Sequence, residues 1–322
     1  MSAPESAPPP SLAVLLFRDA LSRAAHLENE ARTLADYEYR SATPPRIANL
    51  IHGIVEQCEQ AIREEWAEYQ RAETDEERGT ILNSVQTWDA LLRTTGNRLR
   101  YIIGASASRV PSGLGRLLET IIKELELGDG ILLREKWSYN YSIEFTPIEQ
   151  GYHDRLSGVL SPEQLSLLFG ASGDLPRTHA IGFPAIERDN TLLHSAIAHE
   201  IGHVAVERWL EEHDDSNASV AEKLRAAASR LLETSSSSQG DLMLRVQINL
   251  TAARIQSARR RFLQEYGSDL FAVELFGPAA LLSMTSIAMS QGLDSEPRAE
   301  KDSYPSWRSR LRFALARAAA SR

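Results

Sequence analysis

Cysteine is almost absent from this chain: Cys58 is the only one in 322 residues. A single thiol excludes an intramolecular disulfide, so the fold takes nothing from an oxidising compartment, and Cys58 reads as a helix residue at the core or its boundary. Long hydrophobic runs are missing too. No stretch approaches the ~18–20 uninterrupted apolar residues of a membrane span. Residues 1–10, mostly Ala, Pro and Ser, read as a disordered lead without the basic start and apolar centre of a secretory leader. The expectation is a cytoplasmic chain that meets no membrane. Positive charge is in deficit, with 35 Lys and Arg against 44 Asp and Glu. Contact with nucleic acid, which needs clustered cations, is therefore not expected, and Arg259-Arg260-Arg261 reads as a solvated face. The glycines form neither GxGxxG nor GxxxxGK[ST], which removes the usual nucleotide sites.

What is there is mostly helix. With 43% hydrophobic and 25% charged residues, the chain can bury an ordinary globular core. Leu12, Leu15, Leu16, Ala20, Leu21 and Ala24 keep three-to-four spacing. Pro44 and Pro45 then close that helix and open a second, striped by Ile47, Leu50, Ile51, Ile54 and Val55. Asp75 is placed to cap a third, which carries Ile81, Leu82, Val85, Trp88, Leu91 and Leu92. Short connections between amphipathic helices suggest an antiparallel bundle over 11–126. After a short helix around Leu117, Ile121 and Ile122, the alternation of Trp137, Tyr139, Tyr141, Ile143 and Phe145 predicts a half-buried strand. His179–Phe183, ended by Pro184, predicts another, and the chain beyond Asn190 reads helical. The fold class expected is mostly α, of the α+β kind, with residues 127–322 as a second domain.

One segment departs from this plain pattern. His199-Glu200-Ile201-Gly202-His203 lies in a largely apolar run, with Asp189 or Asn190 placed to cap its helix. Positions i and i+4 share a helix face, so both imidazoles can reach one metal ion, zinc being the usual one for such a pair. Glu200 points toward the same place and can take a proton from metal-bound water. Burying two histidines and a glutamate in an apolar helix is costly without a purpose. A catalytic zinc needs a third protein ligand and an open position. His213, Asp214 and Asp215 are near, but no histidine follows at the HxxGxxH spacing. Farther on, Glu265 and Asp269 stand four apart on one helical face. Glu265 can bind metal while Asp269 accepts the free ring N–H of a ligand histidine, with His199 as the candidate. Glu274 is the competing third ligand. His194 lies about 140° round the helix from His199 and reads as a hydrogen-bonded helix histidine.

The combination of HExxH with Glu265-x-x-x-Asp269 is similar to the gluzincin signature of thermolysin-like peptidases. The longer run Glu265-x-x-Ser-Asp-x-Phe-Ala-x-x-Leu-Phe-x-Pro278 looks like the ExxA[N/D]xFAxxLLxP element of ImmA/IrrE-type metallopeptidases. The resemblance spans residues 183–280 and leaves out the helical front. The separation between HExxH and the third ligand is also longer than in those compact proteins. Tyr304-Pro-Ser-Trp-Arg-Ser-Arg310-Leu-Arg312 is similar to the HPxxxxRI element of HtpX-like and CAAX-processing peptidases, with tyrosine in place of its histidine. Tyr304 or an arginine of this stretch could steady a tetrahedral oxyanion; alternatively, Arg310 and Arg312 pair with acidic residues.

The resemblance implies a zincin-like catalytic domain over 127–322, Zn2+ as cofactor, and peptide-bond hydrolysis without a covalent enzyme intermediate. A protein or peptide substrate would lie as an added strand along Thr178–Phe183. ImmA/IrrE-type enzymes cut regulatory proteins, which points to narrow, regulatory proteolysis, with the N-terminal helices free to meet a protein partner. The reading from another class is a catalytically inactive helical scaffold whose zinc is structural or absent.

Overall fold

In the computed structural model the described residues are 11–128, 130–138, 141–170, 175–213, 222–223, 226, 230, 238–293 and 305–320. The lead at 1–10, Tyr139, Asp214, Asp215 and Tyr304 lie outside them. Ten α-helices and three short strands are found among the described residues, so the protein is mostly α with a small sheet. The strands are β1 (Gly130–Lys136), β2 (Ser142–Ile143) and β3 (Thr178–Pro184), in the order β1-β3-β2. Two compact units divide the chain: residues up to 137 with 146–182, and 138–145 with 183–322. No helix of the described residues is long and apolar enough to cross a membrane.

The first unit is organised by α1 (Leu12–Ala35), α2 (Thr43–Arg71) and α3 (Asp75–Gly104), each of which packs on the other two. The buried stripe of α1 differs from the one its leucines suggest. It runs through Ala13, Phe17, Ala20, Ala24, Leu27, Ala31 and Leu34, while Leu12 is 84% exposed. That alternation of four and three is a coiled-coil-like seam, and its alanines let neighbouring helices approach closely. On α2 the face of Ile47, Ile51, Ile54, Val55, Cys58 and Ile62 is buried as its spacing requires. Burial pushes the Cys58 thiol up to about 12, consistent with a packing residue. Thr74, not Asp75, caps α3: Thr74 accepts from the Glu77 N–H, and the Glu77 carboxylate accepts from the Thr74 N–H. Asp75 takes the first helical position, where an acid suits the helix dipole.

Three shorter helices complete this unit: α4 (Ser112–Glu124), α5 (Ile148–Leu156) and α6 (Pro162–Phe169). Buried Glu149 ties α5 to the start of β3. It accepts from the Thr178 N–H at 3.0 Å and the Thr178 hydroxyl at 2.5 Å, and Arg46 of α2 lies 3.2 Å away. The strand expected across 137–145 is shorter than its alternation suggests. β1 stops at Lys136, Trp137 is 91% exposed, and β2 holds two residues. The expected strand over Thr178–Phe183 does form, but as the central strand β3, so β2 takes part of the edge foreseen for a substrate.

The second unit contains α7 (Ala196–Glu212), α8 (Ser238–Phe276), α9 (Pro278–Gln291) and α10 (Trp307–Ala320). One core cluster of this unit gathers Ala198, Ala272, Val273, Ala280, Met284 and Ala314, four of the six being alanine. Two glycines let α7 and α8 cross almost backbone to backbone. A Cβ on Gly202 would stand 2.7 Å from Ser268 Cα, and one on Gly267 would stand 2.6 Å from Val206 Cγ2. Arg260 and Gln264 of α8 both donate to Glu207 of α7, which braces the crossing from its outer side.

Candidate metal centre

The start of α7 is set by a short 3-10 turn, Leu193–Ser195, rather than by a side-chain cap on the helix itself. Asn190, one of the two expected caps, serves that turn instead: its Oδ1 accepts from the Leu193 N–H at 3.3 Å. The Ser195 hydroxyl lies 3.0 Å from the Ala279 carbonyl and 2.9 Å from Ser283 Oγ, fastening this turn to α9. His194 is buried in the turn, with Nε2 at 2.8 Å from the Arg188 carbonyl and its ring edge-on to Phe183. It is the hydrogen-bonded histidine its position suggests and is not one of the clustered ligands, whose histidines follow five and nine residues later.

That cluster holds His199, His203 and Glu265. The two imidazoles stand with centroids 4.6 Å apart, and the crossing at Gly202 brings α8 against them. Glu265 Oε2 lies 3.6 Å from His199 Nε2, and Oε1 lies 3.8 Å from His203 Nε2. Three donors each ~2.1 Å from a tetrahedral ion stand roughly 3.4 Å apart. The two histidine-to-glutamate spacings are within a few tenths of an ångström of that, and all three ligand atoms lie within 4.8 Å of one another, so the three side chains can hold a metal ion. The protonation pattern fits as well. Burial and the charge on His199 push His203 down to about 3, so its imidazole is neutral. Its Nδ1 has no hydrogen-bond partner among the described residues, which leaves Nε2, facing Glu265, as its useful atom.

His199 is oriented from behind. Its Nδ1–H donates to Asp269 Oδ1 at 2.8 Å, which turns Nε2 toward Glu265, 3.6 Å from Oε2. Burial alone would lower the His199 pKa, but Asp269 and Glu265 beside it raise it to about 9. In this arrangement His199 carries a proton that a bound metal ion would displace. Glu265 and Asp269 are both held below the usual carboxylate range. Burial opposes this, and hydrogen bonds and charge from His199 and Arg310 outweigh it.

Glu200 follows His199 on α7 and is half-buried. Glu274, the competing ligand, stays outside the cluster: its carboxylate accepts from Arg317 at 2.8 Å on an exposed face. Of the second arginine-rich motif, Arg312 is exposed, whereas Arg310 is buried inside the site and pairs with both Asp269 and Glu265. Two neighbours carried no warning in the sequence. Phe145 stands edge-on to His203 at 5.4 Å, and Gly202 permits the close crossing on which the whole cluster depends.

No family model, curated protein or solved structure matches this chain. Its chemistry must therefore be argued from these side chains.

Proposed function

We propose that the chain is a zinc-dependent metallopeptidase of the gluzincin kind, cutting a protein or peptide substrate in the cytoplasm. One observation carries the reading: two histidines one helical turn apart and a glutamate from a second helix converge within 4.8 Å, while Glu200 extends from the same turn of α7. Asp269 behind His199 is the support that a ligand histidine needs. His199 Nε2, His203 Nε2 and Glu265 would hold the ion. When bound, zinc supplies a Lewis acid for the scissile carbonyl and lowers the pKa of a coordinated water to about 7. Glu200 accepts a proton from the attacking water and returns it to the leaving amine. Asp269 keeps the Nδ1 proton on His199 throughout. The resemblance to repressor-cutting enzymes supports narrow, regulatory proteolysis, with the helices of the first unit as the surface for a protein partner.

Glu200→Gln tests the role that separates a peptidase from a scaffold. The variant should retain its zinc and its melting temperature while cleavage of a quenched-fluorescence peptide library falls by roughly 10²–10⁴-fold, the usual worth of a general base. Equal cleavage by both proteins would remove Glu200 from the mechanism. A folded, zinc-loaded wild type that cleaves nothing would favour the scaffold.

A further inference from the structure

Arg310 reaches the metal site from α10 and is 6% exposed. Its guanidinium spends its donors on both acids. Nε lies 2.8 Å from Asp269 Oδ2, Nη2 lies 2.7 Å from Asp269 Oδ1, and Nη1 lies 2.8 Å from Glu265 Oε2. Nη2 also rests against the His199 ring, 3.4 Å from Nε2, and the Trp307 ring covers the guanidinium at 4.2 Å. The two carboxylates are thus used unequally. Asp269 Oδ1 receives both Arg310 and the His199 Nδ1–H, which fixes the angle of the imidazole. Glu265 has Oε2 held by a charge-assisted bond from Arg310 and 3.6 Å from His199 Nε2, while Oε1 lies 3.8 Å from His203 Nε2 with no arginine bond on it.

We infer that Arg310 is a positioning residue: it restricts Glu265 to ligation through Oε1 and locks Asp269 against His199. The inference rests on the metal-centre reading and specifies what keeps that centre open. A carboxylate with both oxygens free can bind an ion through both, and so fill the position a catalytic zinc must keep for water or substrate. The Nη1 bond on Oε2, held in place by the two-pronged grip of Nε and Nη2 on Asp269, opposes this. Lysine could not replace it, because a single ammonium on a flexible stem cannot hold oxygens of two carboxylates in a fixed plane. The cation works against metal binding by repulsion and for it by geometry. Geometry wins, as it does where a partner behind a ligand is removed and affinity falls about 10–100-fold.

The test uses the full chain as wild type, Arg310→Lys and Arg310→Gln, each checked for a native melting transition. Cobalt(II) replaces zinc as a spectroscopic probe, because its visible band is strong in four-coordinate sites and weak at higher coordination. Zinc affinity is read by competition with a chromophoric chelator. The expected result is a strong four-coordinate band in wild type, a weaker band in both variants, and zinc binding about 10–100-fold weaker. Unchanged band and affinity in folded variants would reduce Arg310 to packing. Tighter zinc binding in the variants would make it only a competing cation. A high-coordinate cobalt spectrum in wild type would overturn the inference without any variant, whereas failure of wild type to take up cobalt at all would remove the metal centre itself.

Discussion

Gly202→Ala is expected to lower the melting temperature by about 3–10 °C and to weaken zinc binding ~10-fold or more. In most helix interiors this substitution would help, because alanine is favoured over glycine by roughly 1 kcal/mol. Here the added methyl would stand 2.7 Å from Ser268 Cα and 3.0 Å from the Ser268 carbonyl oxygen. Both are backbone atoms of α8, so no side chain can rotate aside and the helices must part. Overpacking of this kind costs about 1–3 kcal/mol, which exceeds the propensity gain. Parting α7 from α8 also draws His199 and His203 away from Glu265, so the metal site fails together with the fold. Gly267→Ala is the internal control. Its methyl would meet Val206 Cγ2 at 2.6 Å and Cγ1 at 3.2 Å, side-chain atoms of a stiff valine rather than backbone, and the loss should be smaller because one side chain, not a helix, must give. Thermal melts and chelator competition on both variants check the order. An unchanged Gly202→Ala would mean that the helices do not cross at Ser268.

Asp269→Ala should be the more destabilising change, at about 3–5 kcal/mol, even with all metal removed by chelator. Asp269 is wholly buried and partners both Arg310 and His199. Its removal leaves a buried guanidinium with Glu265 as its remaining bridged acid, and takes the acceptor from the His199 Nδ1–H. Breaking a buried ion pair by deleting one partner costs more than the pair contributes, because the other charge stays in the core. Asp269→Asn should fall between the two, since its carbonyl can still accept from His199 but its amide cannot accept from Arg310. Urea unfolding of the three proteins without metal measures this directly. A loss under 1 kcal/mol for Asp269→Ala would show that Arg310 does not depend on it.

The parts of this molecule that could be read from the chain are those fixed by one helix at a time. His199 and His203 share a face by spacing alone, and Glu265 and Asp269 do the same on α8. Cys58, in the stripe of α2, is buried as its spacing foretold. What could not be read depends on two segments meeting. Gly202 is visible as a glycine, but nothing along the chain says that Ser268 will press on it. Arg310 stands in a motif for which pairing with acids is one of two readings, and its particular partners are set by how α10 lies on α8. The α1 seam differs from its leucine pattern because leucine outweighs alanine on any hydrophobicity scale, while close helix packing favours the smaller residue. The alternation at 137–145 outruns the strand that forms because period two does not mark where pairing ends. The Thr74 cap is legible in the chain, since Glu77, three residues on, completes a capping box that Asp75 cannot make.

The most direct measurement is metal content by elemental analysis of wild type, His203→Ala and Glu265→Ala, each purified without chelator, reloaded with zinc and desalted. One zinc per chain in wild type, with nearly none in either variant, is the result expected if His199, His203 and Glu265 form the centre. Wild type that holds no metal after reloading would contradict it, as would full zinc retention in Glu265→Ala.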